Sequence, residues 1–351
     1  MFLEGSEMEK SRRDFIKETG IVGSMSLLGA GCGSVKSSEK EVTITNQNFK
    51  DTLQKCLGGP WPEPCSLNAK VIKTIQKDGY RLEFVEYDLE PGDRVTSILL
   101  VPDGVKSSKS APAVAVWHQH NGEWHLGKSE PAGLAGNPEH HTGVALAKLG
   151  YVVLCPDALC FEERQDPEKK FKGSHFERFE FLRYVVDGKS MAWKNILDMK
   201  RAVDYLASRP EVDSERMGCY GHSMGSTHTW LVGPWDSRLK VLVANCCLPT
   251  YDGIHRTRIL HCFPNFIPGI HQYGDTPDIA ALIAPRRLHI NLGEKDSGTP
   301  IKEAEEGIKK IAQAYSAAGV SEKFTHFIEP GAGHVLSEKM WAKAKAAFAE
   351  L

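Results

Sequence analysis

The sequence has almost no net charge, because 43 Lys and Arg oppose 45 Asp and Glu for a formal value of −2 at pH 7. Neither nucleic acid nor an anionic membrane surface is therefore implied as a partner. The sequence also lacks an internal repeat, and its low-complexity tract is confined to Ser34 to Lys40. Once the N-terminus is set aside, about 300 residues remain, enough for one large core.

Long apolar runs are missing as well. The stretch from Gly20 to Leu28 is too short and too rich in glycine to form a stable membrane span. It follows Ser11-Arg12-Arg13-Asp14-Phe15-Ile16-Lys17, which closely resembles the twin-arginine export signal. The N-terminus therefore predicts export by a twin-arginine route to the periplasm or the cell envelope.

The same stretch ends at Leu27-Leu28-Gly29-Ala30-Gly31-Cys32, which is similar to a lipoprotein cleavage box except for the glycine three places before the cysteine. We predict a signal peptide over residues 1–32 and acylation of Cys32, so that the membrane is contacted only through a lipid anchor. A tether over residues 33–49 would then join this anchor to a folded domain over residues 50–351. Cleavage without lipidation and an ordinary amphipathic start of a cytoplasmic protein are the alternatives.

Export changes how the cysteines are interpreted, because thiols can pair in an oxidising compartment. Eight of the nine cysteines follow Cys32. Cys56 and Cys65 flank a loop of glycine and proline and could close it. Four others lie in or near predicted strands and are expected to be buried thiols, namely Cys155, Cys219, Cys246 and Cys247.

The rest of the chain alternates strand-like and helix-like segments. Strands are predicted near residues 80–88, 94–101, 113–117, 151–155, 216–220, 240–244, 287–292 and 323–328. Helices are predicted near residues 139–149, 190–208, 224–232, 302–318 and 337–349. This alternation is typical of an α/β fold with a mostly parallel central sheet and helices on both faces. Segments 161–189 and 249–277 are long for connections, so we interpret them as walls of a cleft.

The run Gly221-His222-Ser223-Met224-Gly225 lies between a predicted strand and a predicted helix. A serine with a glycine two residues away on each side, in this position, is typical of a nucleophile turn. The turn would strain the serine backbone and expose its hydroxyl, and side chains at Gly221 or Gly225 would collide with the neighbouring strand and helix. The N–H of Met224 would point toward a developing oxyanion.

An acid and a histidine follow the serine along the chain. Asp296 and His334 each lie just past the end of a predicted strand, where open α/β sheets gather their active sites. The order serine, acid, histidine is that of the α/β-hydrolases. His334 would accept the proton of Ser223 and return it to the leaving group, while Asp296 would orient the imidazole.

Three neighbouring residues offer other assignments. Glu294 is the nearest rival acid, and Asp252, which follows the preceding predicted strand, is a further one. His222 lies inside the serine turn, where we expect it to pack beside the strand rather than to titrate in the reaction.

The loop His118-Gln119-His120-Asn121-Gly122 follows the predicted strand 113–117 and can supply a second backbone donor to an oxyanion. Here the chain resembles the acetyl xylan esterase and dienelactone hydrolase-like branch of the α/β-hydrolases. Relatives in that branch usually have His-Gly at this loop. By position, the resemblance assigns the donor to the N–H of His120, with Gln119 as the fallback.

The resemblance covers residues 50 to 351. It includes Leu57-Gly58-Gly59-Pro60-Trp61-Pro62, the segment from Tyr87 to Pro102, and the segment from Leu149 to Arg164. It implies the α/β-hydrolase fold. Because dienelactone hydrolases proper use a cysteine where this chain has Ser223, it implies an ordinary carboxylic ester hydrolase rather than a lactone or carbon–carbon specialist.

The predicted function is an exported serine esterase that cleaves short acyl esters, acetyl esters of carbohydrate above all, through a Ser-His-Asp triad and an acyl-enzyme. A peptidase of the prolyl oligopeptidase type is the alternative enzyme, although about 80 residues before the first clear strand are too few for its propeller. A catalytically silent binding protein of the same fold is the alternative from another class. The expected partner is a small-molecule or glycan ester.

Histidines are frequent around the proposed oxyanion loop, and a His-x-His pair with a third histidine nearby can ligate zinc. No pattern of supporting Asp or Glu accompanies them, and a serine triad needs no metal. We therefore expect no cofactor and no metal, and expect these histidines to line a polar cleft. They are His118, His120, His125, His140 and His141.

Overall fold

Nine strands form one sheet in the computed structural model, which describes residues 46–351. They are β1 (Lys70–Lys77), β2 (Tyr80–Glu90), β3 (Asp93–Pro102), β4 (Ala111–Trp117), β5 (Val152–Pro156), β6 (Val212–His222), β7 (Leu239–Asn245), β8 (Arg287–Gly293) and β9 (Phe324–Glu329). Their spatial order is β1-β2-β3-β5-β4-β6-β7-β8-β9. The pairs β1–β2, β2–β3 and β3–β5 are antiparallel, and the other five neighbouring pairs are parallel. The predicted mostly parallel sheet is confirmed.

Helices connect the parallel strands. Within the described residues they are α1 (Asn46–Leu57), α2 (Thr142–Lys148), α3 (Ser174–Val186), α4 (Met191–Ser208), α5 (Met224–Val232), α6 (Tyr251–Thr257), α7 (Thr276–Ala281), α8 (Ile301–Ala317) and α9 (Glu338–Phe348). The five helices predicted from the sequence correspond to α2, α4, α5, α8 and α9.

Two apolar cores lie on opposite faces of the sheet. Because side chains alternate along a strand, Ala115 of β4 packs with the core that includes α4, α5 and α8, whereas Val116 packs with α2 and α9. Each large apolar side chain buried in this way contributes about 1.5–3 kcal/mol. Helices therefore cover both faces of the sheet, as predicted.

The strand register brings the C-terminal ends of the central strands together. Trp117, the last residue of β4, lies opposite Gly221 of β6, and His222 lies opposite Asn245 of β7. The turns that follow these strands, including the one with Ser223, therefore open at the same edge of the sheet.

The structure differs from the prediction in several elements. Helices α3 and α6 lie in segments interpreted as long connections, and the exposed edge strand β1 was not predicted. Helix α1 begins at Asn46, so the last four residues of the predicted tether are helical, and Phe49 is buried. The predicted signal peptide and Cys32 lie outside the described residues.

No helix within residues 46–351 is long and apolar enough to span a membrane. Cys56 and Cys65 carry no disulfide, and the four cysteines expected to be buried thiols are buried and unpaired.

Candidate active site

Ser223 joins β6 to α5 in a strained turn. Its backbone has φ +59 and ψ −118, a region that residues with a side chain rarely occupy. The N–H of Ser223 donates a 2.9 Å hydrogen bond to the carbonyl of Asn245 at the end of β7. The neighbouring strand thus holds the strained residue in place.

The two glycines of the turn allow a close approach of backbones. A Cβ atom at Gly221 would lie 1.9 Å from the carbonyl oxygen of Gly225, and a Cβ atom at Gly225 would lie 2.1 Å from the carbonyl oxygen of Trp117. Real Cβ contacts are never this short, so only glycine fits at either position. The collisions expected from the sequence are those that the structure shows, and the first turn of α5 packs directly on the end of β4.

Ser223, His334 and Asp296 form one continuous hydrogen-bonded chain. His334 Nε2 lies 2.8 Å from Ser223 Oγ, and His334 Nδ1 lies 2.8 Å from Asp296 Oδ2. The Asp296 side chain is fully buried, and its other oxygen accepts the N–H of Gly298 at 2.8 Å. A carboxylate next to Nδ1 favours the tautomer with its proton on Nδ1, which leaves Nε2 free to accept the serine proton.

The rival acids have other partners. The exposed Glu294 accepts the N–H of Gly331 at 2.7 Å. Asp252 is exposed and faces His271 at 3.3 Å. Neither is bonded to His334, so Asp296 is the acid that the structure brings to the histidine.

The proposed oxyanion donors lie at the start of α5 and in the loop after β4. Within residues 46–351, the N–H groups of Met224, Gln119 and His120 donate to no other protein group. The Gln119 side chain is turned toward Glu130, to which its amide donates at 2.9 Å. The predicted donors Met224 and His120 are therefore both available to an oxyanion, as is the fallback Gln119.

Helix α3 contributes a residue that the sequence analysis missed. The buried Glu177 accepts hydrogen bonds from His120 Nε2 at 2.9 Å and from Trp124 Nε1 at 2.8 Å. His120 Nδ1 in turn accepts the N–H of Gly122 at 2.9 Å. Glu177 therefore fastens the loop after β4 to α3. Glu177 follows Phe176 and precedes Arg178 in a charged, aromatic segment, and this setting was the available signal.

The other histidines of the predicted cluster are held separately. His118 Nδ1 donates to the carbonyl of Gln119 at 2.7 Å, and its Nε2 accepts the N–H of Ala158 at 3.0 Å. Burial lowers the pKa of His118 to about 4. His141 Nε2 lies 3.0 Å from the carbonyl of Ala135, and His125 is exposed.

A different group of residues is spaced for a metal ion. Ligand atoms of Asp252, His271 and Asp275 lie within 4.8 Å of one another in the described part of the chain, and none belongs to the histidine cluster. The Asp275 carboxylate already accepts the N–H groups of Tyr251 and Thr276. Its oxygens are thus used by the backbone.

A strained serine after a central strand, followed by a buried aspartate and a histidine after later parallel strands, defines an α/β-hydrolase. The chain belongs to the Abhydrolase family, whose model matches residues 7–329. It is also similar to YtaP of Bacillus subtilis (strain 168), a protein named provisionally as a hydrolase. The two are 27% identical over 282 residues, which cover 79% of this chain and 90% of the relative.

Solved structures show the same fold. A protein of Bacteroides fragilis NCTC 9343, named provisionally as an acetyl xylan esterase, matches with a TM-score of 0.66 and 18% identity over 81% of this chain and 74% of that chain. A glucuronoyl esterase from Solibacter usitatus matches with a TM-score of 0.64 and 17% identity over 88% and 92% of the two chains. These findings confirm the predicted fold and the resemblance to the acetyl xylan esterase-like branch. The predicted enzyme class, a carboxylic ester hydrolase, is the class that these neighbours are named for.

Proposed function

We propose that this α/β-hydrolase is a serine esterase that forms an acyl-enzyme on Ser223. The observation that carries the proposal is the pair of 2.8 Å contacts that join Ser223 Oγ through His334 to the buried Asp296. A serine hydroxyl is a poor nucleophile at neutral pH, and a histidine at this distance activates it by accepting its proton during the attack.

Each step follows from this geometry. As Ser223 Oγ attacks the ester carbonyl carbon, His334 Nε2 takes the hydroxyl proton and the carbonyl oxygen becomes an oxyanion. The N–H groups of Met224 and His120 stabilise that oxyanion, and Asp296 stabilises the imidazolium. The proton then passes from His334 to the leaving alcohol. Water repeats the sequence on the acyl-enzyme and releases the acid.

The histidine ring that packs against His334 is that of His222. The ring of His222 lies 5.0 Å from the ring of His334, between centroids, and His140 stacks on the far side of His222 at 4.6 Å. Burial, helped by His334 and His140, lowers the pKa of His222 well below its ordinary value. His222 therefore stays neutral near neutral pH and adds no positive charge beside the imidazolium.

We further propose that the substrate is a short acyl ester of a carbohydrate, acetyl esters first. Aromatic side chains lie beside polar groups at the loop after β4, where Trp124 and Phe161 contact the ring of His120. Aromatic faces next to hydrogen-bonding groups suit sugar rings. The acetyl xylan and glucuronoyl esterases among the fold neighbours support the same substrate class.

We also propose that the protein is exported by the twin-arginine route and anchored through an acylated Cys32. This proposal rests on the motif around Arg12 and Arg13 and on the cleavage-box-like sequence that ends at Cys32.

The decisive experiment replaces the nucleophile. Ser223→Ala should keep the fold and lower kcat on p-nitrophenyl acetate by about 10⁴-fold or more. A serine-directed phosphonate should label Ser223 of the wild type and leave the variant unlabelled, as judged by peptide mass spectrometry. Circular dichroism and thermal unfolding control for folding. Turnover at the wild-type rate by a folded Ser223→Ala variant would refute the proposal.

A further inference from the structure

A small polar cavity lies behind the serine turn, on the face of the sheet covered by α2 and α9. Its volume is about 10 Å³, and its wall includes Gln119, Glu130, His140, Tyr220 and His222. A cavity of this size holds about one water molecule.

Four residues that line this cavity have a buried polar side-chain atom with no hydrogen-bond partner within the described structure. One of these atoms, Trp117 Nε1, belongs to a ring that packs in the core on the opposite face of the sheet, so three atoms remain on the face of the cavity. They are Tyr220 Oη, His222 Nε2 and His140 Nδ1. Tyr220 and His222 are 1% and 4% exposed, so bulk water does not satisfy them. Buried polar groups in folded proteins nearly always have a hydrogen-bond partner, so three unpartnered atoms around one cavity indicate a bound ligand.

The hydrogen bonds of His222 determine what kind of ligand fits. The Asn245 amide nitrogen donates to His222 Nδ1 at 2.7 Å and to the carbonyl of Val335 at 3.2 Å. Because the Val335 carbonyl requires a donor, the amide is oriented with its NH₂ toward His222. Nδ1 is then an acceptor, so the neutral ring carries its proton on Nε2 and the ligand must accept from it.

The remaining walls exclude an anion. Tyr220 Oη and neutral His140 Nδ1 can each donate or accept, and the Glu130 carboxylate lies on the cavity wall. A negative ion would face that carboxylate, whereas water can accept from His222 and still donate to another wall atom.

We propose that the cavity is a specific site for one ordered water molecule, which bridges His222, Tyr220 and His140 and thereby holds the ring orientation of His222, whose tautomer Asn245 already sets. The ring of His222 packs between those of His140 and His334. By holding the His222 ring, the water also positions His334, which packs against that ring. This effect on His334 rests on the proposed role of His334 in catalysis. Tyr220 and His222 are positioning residues.

The first test is crystallographic and does not depend on activity. A crystal structure at about 1.5 Å resolution should show a peak in the cavity within about 2.7–3.2 Å of His222 Nε2 and Tyr220 Oη. A cavity with no peak, or one closed by protein groups that bond these atoms, would overturn the proposal. An anomalous peak there after a bromide soak would assign the site to a halide instead.

The second test addresses the coupling to His334. Tyr220→Phe keeps the ring, which packs edge-on against Trp341, and removes the hydroxyl. We expect kcat on p-nitrophenyl acetate to fall several-fold with KM unchanged. Tyr315→Phe is the matched control, because it removes a buried hydroxyl that donates to the Arg286 carbonyl and should leave kcat unchanged.

The outcomes separate the two steps of the proposal. If the water is present in the wild type but Tyr220→Phe keeps the wild-type kcat, the coupling to His334 is wrong. If Ser223→Ala retains turnover, the proposed function fails, while the crystallographic result for the cavity still stands or falls by itself.

Discussion

Burial distinguishes Asp296 from the other acids near it. Its carboxylate is fully buried between His334 and the N–H of Gly298, whereas Glu294 is exposed on a neighbouring turn. A buried, doubly held carboxylate cannot rotate away from the imidazole. It can therefore fix the histidine tautomer through the reaction, which an exposed side chain does less well.

Asp296→Asn should lower kcat by about 10³–10⁴-fold, because the amide no longer selects the tautomer with the proton on Nδ1. Glu294→Gln is the matched control and should keep nearly the wild-type kcat. Steady-state kinetics on p-nitrophenyl acetate checks both variants. An equal loss in the two variants would contradict the assignment of the acid.

The roles proposed for Ser223, Asp296 and His334 could be predicted from the sequence, because each follows a strand and the turn glycines leave a clear local pattern. Glu177 could not be predicted in the same way. Its contact with His120 joins residues that are far apart in the sequence, and no local pattern reveals such a contact. Likewise, the orphaned atoms of His222 and Tyr220 become visible only once α2 and α9 cover them.

At the scale of elements, a buried charge network ties the segment after β5 to α4 and to the β2–β3 hairpin. Asp198 of α4 lies 2.7 Å from Arg164 and 2.8 Å from Lys194. Lys194 also contacts Glu90 and Asp93 of the hairpin. The network thus holds the segment that begins with Phe161, one of the aromatic walls of the site.

Removing the shared acid should be costly. Asp198→Ala removes the most buried acid of the network and leaves Arg164 and Lys194 with Asp93 as their shared partner, so it should lower the free energy of unfolding by about 1.5–3 kcal/mol, measured by urea denaturation. Glu303→Gln, which removes the acid of an exposed pair with Arg256, should cause no measurable loss. A small effect of Asp198→Ala would show that the network is not a major source of stability.

The stabilisation that Asp198 gains from Arg164 and Lys194 depends on pH. Burial alone would raise the pKa of Asp198, but Arg164 and Lys194 outweigh burial and lower it. Because the folded-state pKa is depressed, this stabilisation is present above the unfolded value of about 3.9 and is lost as the pH falls below it. The difference in stability between wild type and Asp198→Ala should therefore shrink on acidification below about pH 4.

Helices and strands could be predicted where their apolar residues follow a regular pattern along the sequence. Strands β4, β7 and β8 have continuous apolar sequences, and their predicted bounds lie within two residues of the observed ones, whereas β6 begins four residues before its predicted start. Helix α5 was predicted at its observed bounds because the serine turn marks its start. Helix α3 exposes Phe179, Leu182 and Val186, so its apolar residues do not define one buried face. Strand β1 is exposed along almost its whole length and lacks the alternation on which strand prediction depends.

At the scale of the whole molecule, the N-terminal proposal can be tested in the native host. Replacing both Arg12 and Arg13 with lysine should retain the protein in the cytoplasm, because the twin-arginine pair is what the export machinery reads. Mass spectrometry of the mature protein should find an acylated Cys32 at its N-terminus. An unmodified Cys32 there would favour simple cleavage, and an intact Met1 on active protein would contradict both forms of export.

At the same scale, substrate specificity depends on segments that lie far apart in the sequence, because together they form the walls of the site. Phe181 of α3 stacks on Phe263 of the segment after α6, with ring centroids 4.6 Å apart. Phe161, Phe176 and Met224 are buried in the same cluster. The two segments predicted as cleft walls therefore contact each other beside the serine turn, and aromatic side chains fill the space between them.

A site walled in this way should favour small acyl groups, since no long apolar run in the sequence marks a groove for a fatty acyl chain. We expect kcat/KM on p-nitrophenyl esters to fall steeply from acetyl to octanoyl, and acetate to be released from an acetylated saccharide. An aminoacyl-proline substrate, which a prolyl oligopeptidase-type enzyme would cleave, should remain intact. Faster hydrolysis of octanoyl esters, with no acetate from any glycan tested, would reject the carbohydrate substrate but leave the serine mechanism standing. Ser223→Ala is the control that separates these outcomes, because hydrolysis that survives in this variant does not come from the proposed site.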